Sequence, residues 1–159
     1  MKKTKIYLDT SVISAYFDIQ KPVRQLITQK WMDHDLKDFV PYVSSLVLSE
    51  IEANRNTDLK KALFEFIDNH KFSVIEMTQE IEELASEYRK KVIPKEINDS
   101  LHIAAASVYQ LQAIVSWNFK HIVNLKTVLG IHQVNLERGF PLVEIMTPEN
   151  LGGAKYGNV

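Results

Sequence analysis

Ile6-Tyr7-Leu8-Asp9-Thr10-Ser11-Val12-Ile13-Ser14-Ala15-Tyr16-Phe17 decides the reading of the fold. A short β-prone run stops at an aspartate, and Thr10-Ser11 then offers helix N-cap chemistry. Val12 to Phe17 reads as one or two turns of buried helix. The same alternation recurs along the chain. Pro22 fits the first turn of a helix whose apolar positions Val23, Leu26, Ile27 and Trp31 recur near the helical period. Residues 39–43 form a second short strand, and Ser44-Ser45 caps a helix through Leu46, Val47, Glu50 and Ile51. Residues 58–70 form a helix with the stripe Leu59, Leu63, Phe66 and Ile67, and residues 72–75 a third strand. Thr78 caps a charged helix over 79–90, with Ile81, Leu84, Ala85 and Tyr88 on one side. A small-residue helix over 98–110 leads into a strand at 113–115, a short helix at 122–129 and a late strand at 142–145. Strands of a few residues alternating with helices predict an α/β domain with a short, mainly parallel central sheet. One domain is expected over residues 1–150, with a flexible tail at 151–159.

Composition narrows the function classes. Hydrophobic residues make up 45% and charged residues 25% of the 159, which excludes intrinsic disorder. The chain has no cysteine, so disulfides, thiolate zinc sites and cysteine nucleophiles are excluded. Nineteen Lys and Arg stand against 20 Asp and Glu, so no global basic field announces a polyanion partner. Such a partner must be held by a local patch or by bound metal. The basic start Met1-Lys2-Lys3-Thr4-Lys5 is followed by an apolar stretch broken at Asp9 and Asp18, which fails as a signal segment. Residues 100–119 carry no Asp, Glu, Lys or Arg, but the interruption Tyr109-Gln110-Leu111-Gln112 reads as the junction of a buried helix and a buried strand. No membrane association is expected, and a cytoplasmic location is.

In an open α/β sheet, ligands bind outside the carboxyl ends of the strands. Asp9 follows the first strand and Asn118 the fourth; Glu50 lies on the helix after the second, and Asp99 opens the helix leading to the fourth. Each alone has a plain structural reading: Asp9 as a helix cap, Glu50 as a solvated charge, Asp99 as a macrodipole partner, Asn118 as a turn residue. Together they place four oxygen donors at one end of the sheet. Carboxylates gathered there repel one another, a conflict that a divalent cation removes. Oxygen ligands without cysteine or a close histidine pair favour Mg²⁺ or Mn²⁺ over zinc. Such an ion leaves positions for phosphate oxygens and stabilises charge in an in-line displacement, so phosphodiester hydrolysis is the chemistry that suits the cluster.

The five histidines lack a metal-binding spacing. His102, one turn beyond Asp99, is placed to orient that carboxylate or to contact substrate, a structural hydrogen bond being the plain alternative. Lys120 and His121, just after Asn118, are placed for a phosphate contact. No phosphate-binding P-loop, dinucleotide fingerprint or serine-hydrolase elbow is present.

These motifs resemble a known family. Residues 6–14 resemble the opening strand and first acidic motif of PIN-domain nucleases, and Ser45-Leu46-Val47-Leu48-Ser49-Glu50-Ile51 resembles their second. Asn98-Asp99-Ser100-Leu101-His102-Ile103-Ala104-Ala105-Ala106 resembles the third. Ser116-Trp117-Asn118-Phe119-Lys120-His121-Ile122 resembles the fourth, in the version found among VapC-like toxins of toxin–antitoxin modules. The resemblance implies a three-layer α/β/α domain and a Mg²⁺- or Mn²⁺-dependent ribonuclease site. It implies that Asp9 and Asp99 hold the principal ion and that Glu50 binds it directly or through water. Thr10 or Ser11 would support the strand-end turn, with Ser116, His102, Lys120 and His121 as supporting or substrate contacts. The fourth acidic position is Asn118, whose amide offers a carbonyl oxygen but no charge, so a second metal site is weakened. A homodimer and a small antitoxin protein are implied as partners, with RNA as substrate. Lys120, Lys126, Arg24 and Arg55 are candidate phosphate contacts that are equally consistent with an ordinary surface.

Two other classes compete. A non-catalytic PIN-like domain would keep the fold for RNA or protein binding with its metal site weakened at Asn118. An Asp-dependent phosphatase or phospho-acceptor domain also places an aspartate after its first strand. However, position 11, where such a phosphatase needs a second Asp, is Ser11, and a single Asp9 lacks the acidic pair of a receiver.

Overall fold

The computed structural model describes residues 2–151. The sheet is built outward from β1 (Thr4–Leu8). After α1 (Thr10–Ala15) and α2 (Pro22–Lys30), a π-helical turn and a 3-10 turn lead into β2 (Phe39–Ser44). Helices α3 (Ser45–Glu52) and α4 (Thr57–Asn69) precede β3 (Ser73–Ile75). Helices α5 (Gln79–Lys91) and α6 (Ile97–Val108) precede β4 (Ala113–Val115), and α7 (Leu125–Arg138) precedes β5 (Glu144–Met146).

Among the described residues, the five strands form one sheet in the order β3-β2-β1-β4-β5, and every pair is parallel. Helices cover both faces. The central residues Ile6, Tyr7, Leu8, Ala113, Ile114 and Val115 are therefore all buried, the pattern of parallel strands shielded on two sides. The expected α/β/α architecture is the one observed.

The topology locates the site. The chain lays β1, β2 and β3 outward in one direction, then returns to place β4 on the other side of β1. The crevice between the carboxyl ends of β1 and β4 is thus the switch point where such sheets bind ligands. Leu8 pairs with Val115, so Asp9 and Ser116 leave the sheet side by side. The Asp9 N–H still donates to the Val115 carbonyl at 3.1 Å.

Helix starts follow local chemistry. Ser44, Asn56, Thr78 and Asn124 each accept a backbone N–H from the first turn of the helix they precede. Pro22 occupies the first turn of α2, where no N–H is missed. At α1 the cap is Asp9 itself, not Thr10 or Ser11, which lie inside the helix.

Two expectations about helices need correction. The α2 stripe faces the core only in part: Ile27 packs inward and Trp31, just past its end, is buried, but Val23 is 73% and Leu26 52% exposed, and Thr28 is buried instead. The short helix expected to include residues 122–129 begins only at Leu125 and runs on to Arg138. Gly130 does not terminate it. A Cβ there would meet Val92 Cγ1 at 2.7 Å, so the glycine lets α7 approach the end of α5. The helix ends instead at Gly139, whose φ of 78° is the left-handed conformation glycine adopts freely. Leu151, the last described residue, lies in a helical turn and packs on the core, while the rest of the expected tail lies outside the described residues. The apolar run at 100–119 is α6 followed by β4, and no described helix is long and apolar enough to cross a membrane.

A buried polar clamp fixes α6, the helix that carries Asp99. The Tyr88 hydroxyl on α5 meets Ser107 Oγ on α6 at 2.9 Å and donates to Asn135 Oδ1 on α7. Asn135 Nδ2 reaches Ser107 Oγ and the Pro141 carbonyl, each at 3.0 Å. Burial pushes the Tyr88 phenol above its ordinary range, against the pull of Ser107 and Asn135, so it remains a donor. Asn135→Ala leaves several of these groups without partners and is expected to lower stability by about 2–4 kcal/mol. Urea denaturation measures this as a lower midpoint at unchanged slope.

Candidate metal and catalytic site

Asp9 sits at the switch point and is only 4% exposed. Its Oδ1 accepts the Ser11 backbone N–H at 3.0 Å and the Ser11 hydroxyl, and its Oδ2 accepts the Ser116 hydroxyl at 2.7 Å. Ser11 Oγ in turn accepts the Trp117 N–H at 2.9 Å. A carboxylate offers about four lone-pair sites, and three are in use, leaving one on Oδ2 for a further partner. Burial pushes the Asp9 carboxyl up; the charge of a protonated His102 and the hydrogen bonds from Ser11 and Ser116 oppose it without cancelling it.

Asp99 lies in the first turn of α6, half-buried. Burial raises its carboxyl also, and the negative charges of Asp9 and Glu96 raise it further against the charges of His102 and His121. Asn118 joins the two aspartates. Its backbone N–H donates to Ser116 Oγ at 2.9 Å, the same hydroxyl that donates to Asp9, and its Nδ2 donates to Asp99 Oδ2 at 3.2 Å. The amide's orientation follows from its partners. Its Oδ1 accepts the His121 N–H at 3.0 Å, and the reverse orientation would set oxygen against carboxylate and N–H against N–H. The expected carbonyl donor therefore faces away: Asn118 presents its amino group to Asp99.

Glu50, on α3, has a different setting. Its Oε1 accepts the Thr10 hydroxyl at 2.7 Å and pairs with His102 Nε2 at 2.7 Å, and Oε2 accepts Asn98 Nδ2 at 3.4 Å. Burial pushes this carboxyl up as well. The hydrogen bond and charge of His102, with the bonds from Thr10 and Asn98, outweigh it and hold the group below its ordinary value. His102 Nδ1 meets the Tyr7 hydroxyl at 2.6 Å, which meets Ser44 Oγ at 2.7 Å. Because a carboxylate only accepts, Nε2 carries a proton. With Nδ1 as acceptor, each hydroxyl donates to the next group along the line from Ser44 through Tyr7 and His102 to Glu50. Burial keeps the Tyr7 phenol protonated for this, with Ser44 pulling it down and Asp9 and Glu50 raising it further. His102 thus hydrogen-bonds Glu50 rather than Asp99, the partner its spacing had offered.

The remaining polar residues fall as follows. Thr10 and Ser11 hold Glu50 and Asp9, and Ser116 bridges Asp9 and Asn118. Lys120 and His121 line a cavity beside Asp99, and His121 Nε2 lies 3.4 Å from Glu96 Oε1. Three groups escaped the sequence reading. Tyr7 and Ser44 were hidden inside a strand and a cap, with no signal that they support Glu50. Glu96 was visible as a carboxylate one helical turn before Asp99. The ligating atoms of Glu96, Asp99 and His121 all lie within 4.8 Å of one another.

The donor set fits a hard divalent cation. Asp9 and Asp99 keep oxygen lone pairs that no protein donor occupies, both are raised by burial, and no ion pair among the described residues neutralises either. Such an ion is held by one or two carboxylates with water completing its shell.

Comparison with known proteins agrees with this architecture. The PIN domain family model matches residues 6–119, and no curated protein matches the sequence. Among solved structures, VapBC2 from Rickettsia felis, bound to a DNA fragment from its promoter, is similar with a TM-score of 0.59 at 14% identity. That match covers 91% of this chain and 98% of the other. VapC20 from Mycobacterium tuberculosis, a toxin that cleaves the sarcin–ricin loop, has a TM-score of 0.59 at 18% identity over 73% and 92% of the two chains. A toxin–antitoxin complex from Klebsiella pneumoniae has a TM-score of 0.56 at 14% identity over 77% and 93%. At these identities the structural likeness is one of fold, whereas the family match runs from β1 through the turn after β4. The chain belongs to the PIN domain family.

Proposed function

We propose that the protein is a Mg²⁺- or Mn²⁺-dependent endoribonuclease, the toxin of a toxin–antitoxin module, with RNA as substrate and a small antitoxin protein as partner. The observation that carries this reading is the hydrogen-bonded line Asp9–Ser116–Asn118–Asp99 at the switch point, which joins two carboxylates that no ion pair among the described residues neutralises. The similarity to solved toxin–antitoxin proteins supports the same reading.

On this reading Asp9 and Asp99 hold the ion, which when bound supplies a nucleophilic water and stabilises charge on the scissile phosphate. Ser11 and Ser116 fix the Asp9 oxygens so that its free lone pair points in one direction. Asn118 fixes Asp99 through Nδ2. Glu50, with Oε1 taken by Thr10 and His102, offers Oε2 to water at the rim of the hollow. The Tyr7–His102 line keeps that carboxylate oriented and ionised, which suits it to accept a proton from water.

Purified protein is expected to cleave RNA in Mn²⁺ and to stop on adding EDTA. Asp9→Asn or Asp99→Asn should each cut the rate by at least a thousandfold while leaving the circular dichroism spectrum unchanged. Full activity in the Asp9→Asn protein would falsify these roles.

The raised carboxyls have a consequence for stability. Asp9 and Asp99 bind protons more tightly folded than unfolded, so above the ordinary carboxylate range the native state holds the extra protons. Cation-free stability therefore falls as pH rises through that window and stays reduced above it. A cation needs the ionised forms and binds better at high pH. Thermal denaturation is expected to show a larger stabilisation by Mn²⁺ at pH 7.5 than at pH 5. Asp99→Asn should raise the cation-free midpoint at pH 7.5 and abolish the Mn²⁺ shift. An equal shift in the wild type and Asp99→Asn would exclude Asp99 as a ligand. In cells, expression alone should arrest growth and co-expression of the adjacent gene should relieve it.

A further inference from the structure

Beside Asp99 opens a cavity of about 330 Å³, walled by the link from α5 to α6 and by the turn after Asn118. Its inner wall includes Glu96 and His121, whose side chains come within 4.8 Å of the Asp99 carboxylate. Lys95, Lys120 and Lys126 line it, and no ion pair among the described residues takes up any of the three. Phe119 also lines it. This ring is 49% exposed, next to Trp117 at a centroid separation of 6.0 Å, with the Arg24 guanidinium 5.8 Å from its centroid. A half-exposed aromatic ring and unpaired lysines leave both apolar surface and charge unsatisfied, and one ligand class satisfies both. Single-stranded nucleic acid stacks its bases on aromatic rings and sets its phosphates among Lys and Arg. The volume lies at the lower end of ligand pockets, about 300–1,000 Å³, which suits one nucleotide.

We propose that this cavity is a nucleotide subsite, which takes one unstacked base of a single-stranded RNA against Phe119 and the adjoining phosphate among Lys95, Lys120 and Lys126. The inference rests on the reading of Asp9 and Asp99 as the hydrolytic centre, since the cavity would hold the nucleotide next to the bond being cut. Phe119 and the lysines act here in binding and positioning, and none touches the reacting atoms.

The test reads binding with hydrolysis switched off. A fluorescein-labelled single-stranded RNA dodecamer of mixed sequence is titrated with the full chain in EDTA, and anisotropy is recorded. A ribose–phosphate strand of equal length without bases serves as the second probe. Phe119→Ala is expected to weaken RNA binding about five- to hundredfold. Phe119→Trp should restore it, and the Phe119→Ala defect should vanish on the abasic strand. Lys126→Ala should weaken both probes alike and lower the slope of log K against log salt by about 0.7. The proposal is overturned if the wild type does not bind the RNA, if Phe119→Ala binds it as the wild type does, or if the Phe119→Ala defect persists on the abasic strand, which would make the ring structural. Cleavage in Mn²⁺ is scored separately. Phe119-dependent binding without cleavage leaves the subsite standing and removes the ribonuclease reading. Cleavage with no effect of Phe119→Ala on binding does the reverse.

Discussion

A buried carboxylate at the end of the central strand is the constraint around which the rest of the site is arranged. Asp9 is removed from water at the point where β1 ends, α1 begins and β4 lies alongside. A charge so placed must be hydrogen-bonded or it costs several kcal/mol. The chain meets this need with neutral donors: a backbone N–H and two serine hydroxyls, one from each of the segments that follow β1 and β4. Neutral donors fix the oxygens without cancelling the charge. The strand ends are locked together, and the hollow they form stays negative.

Glu50 shows what happens when a carboxylate in the same region receives a histidine partner. His102 pairs with it at 2.7 Å, and the imidazole is held from behind by Tyr7 and Ser44, both fully buried. The effect is opposite in sign: Glu50 is held below its ordinary range while Asp9 and Asp99 are pushed above theirs. Environments that drive carboxyl groups apart in this way assign them different work. Among the described residues neither aspartate has a histidine hydrogen bond, and Glu50 does.

Much of this was legible in the sequence because period and punctuation agreed. Ile81, Leu84, Ala85 and Tyr88 lie buried on α5 as their spacing requires, and Thr78 caps that helix. Asp9, Asp99 and Asn118 could be placed at the strand ends because a parallel sheet sends every such junction to one edge. What stayed hidden depended on contacts between distant segments. The role of Gly130 is invisible until Val92 is seen against it. Val23 and Leu26 recur at a helical spacing, but period alone does not say which face has something to pack against. Tyr7 reads as a strand residue, and only the position of α6 turns its hydroxyl into a support for His102. The direction of the Asn118 amide was equally unreadable, since it is set by the His121 N–H in the following turn.

That amide bears on how many ions the proposed centre takes. Asp9 and Asp99 together carry two negative charges when ionised, which one divalent cation neutralises. An aspartate at position 118 would add a third, in a hollow where burial already raises both acids and the charge of Asp9 raises Asp99 further. Asn118 instead donates to Asp99 and adds no charge. One divalent cation would balance these two aspartates, although the carboxylate of Glu96 also lies within 4.8 Å of Asp99 and adds to the negative charge there. A second ion would otherwise help meet the negative charge of the phosphate being cut. Here fixed cations are available at the adjoining wall, where Lys95, Lys120 and Lys126 line the cavity beside Asp99. On the proposed reading, a neutral residue at position 118 and unpaired lysines beside it are complementary: positive charge that a second ion would bring would come from the chain itself.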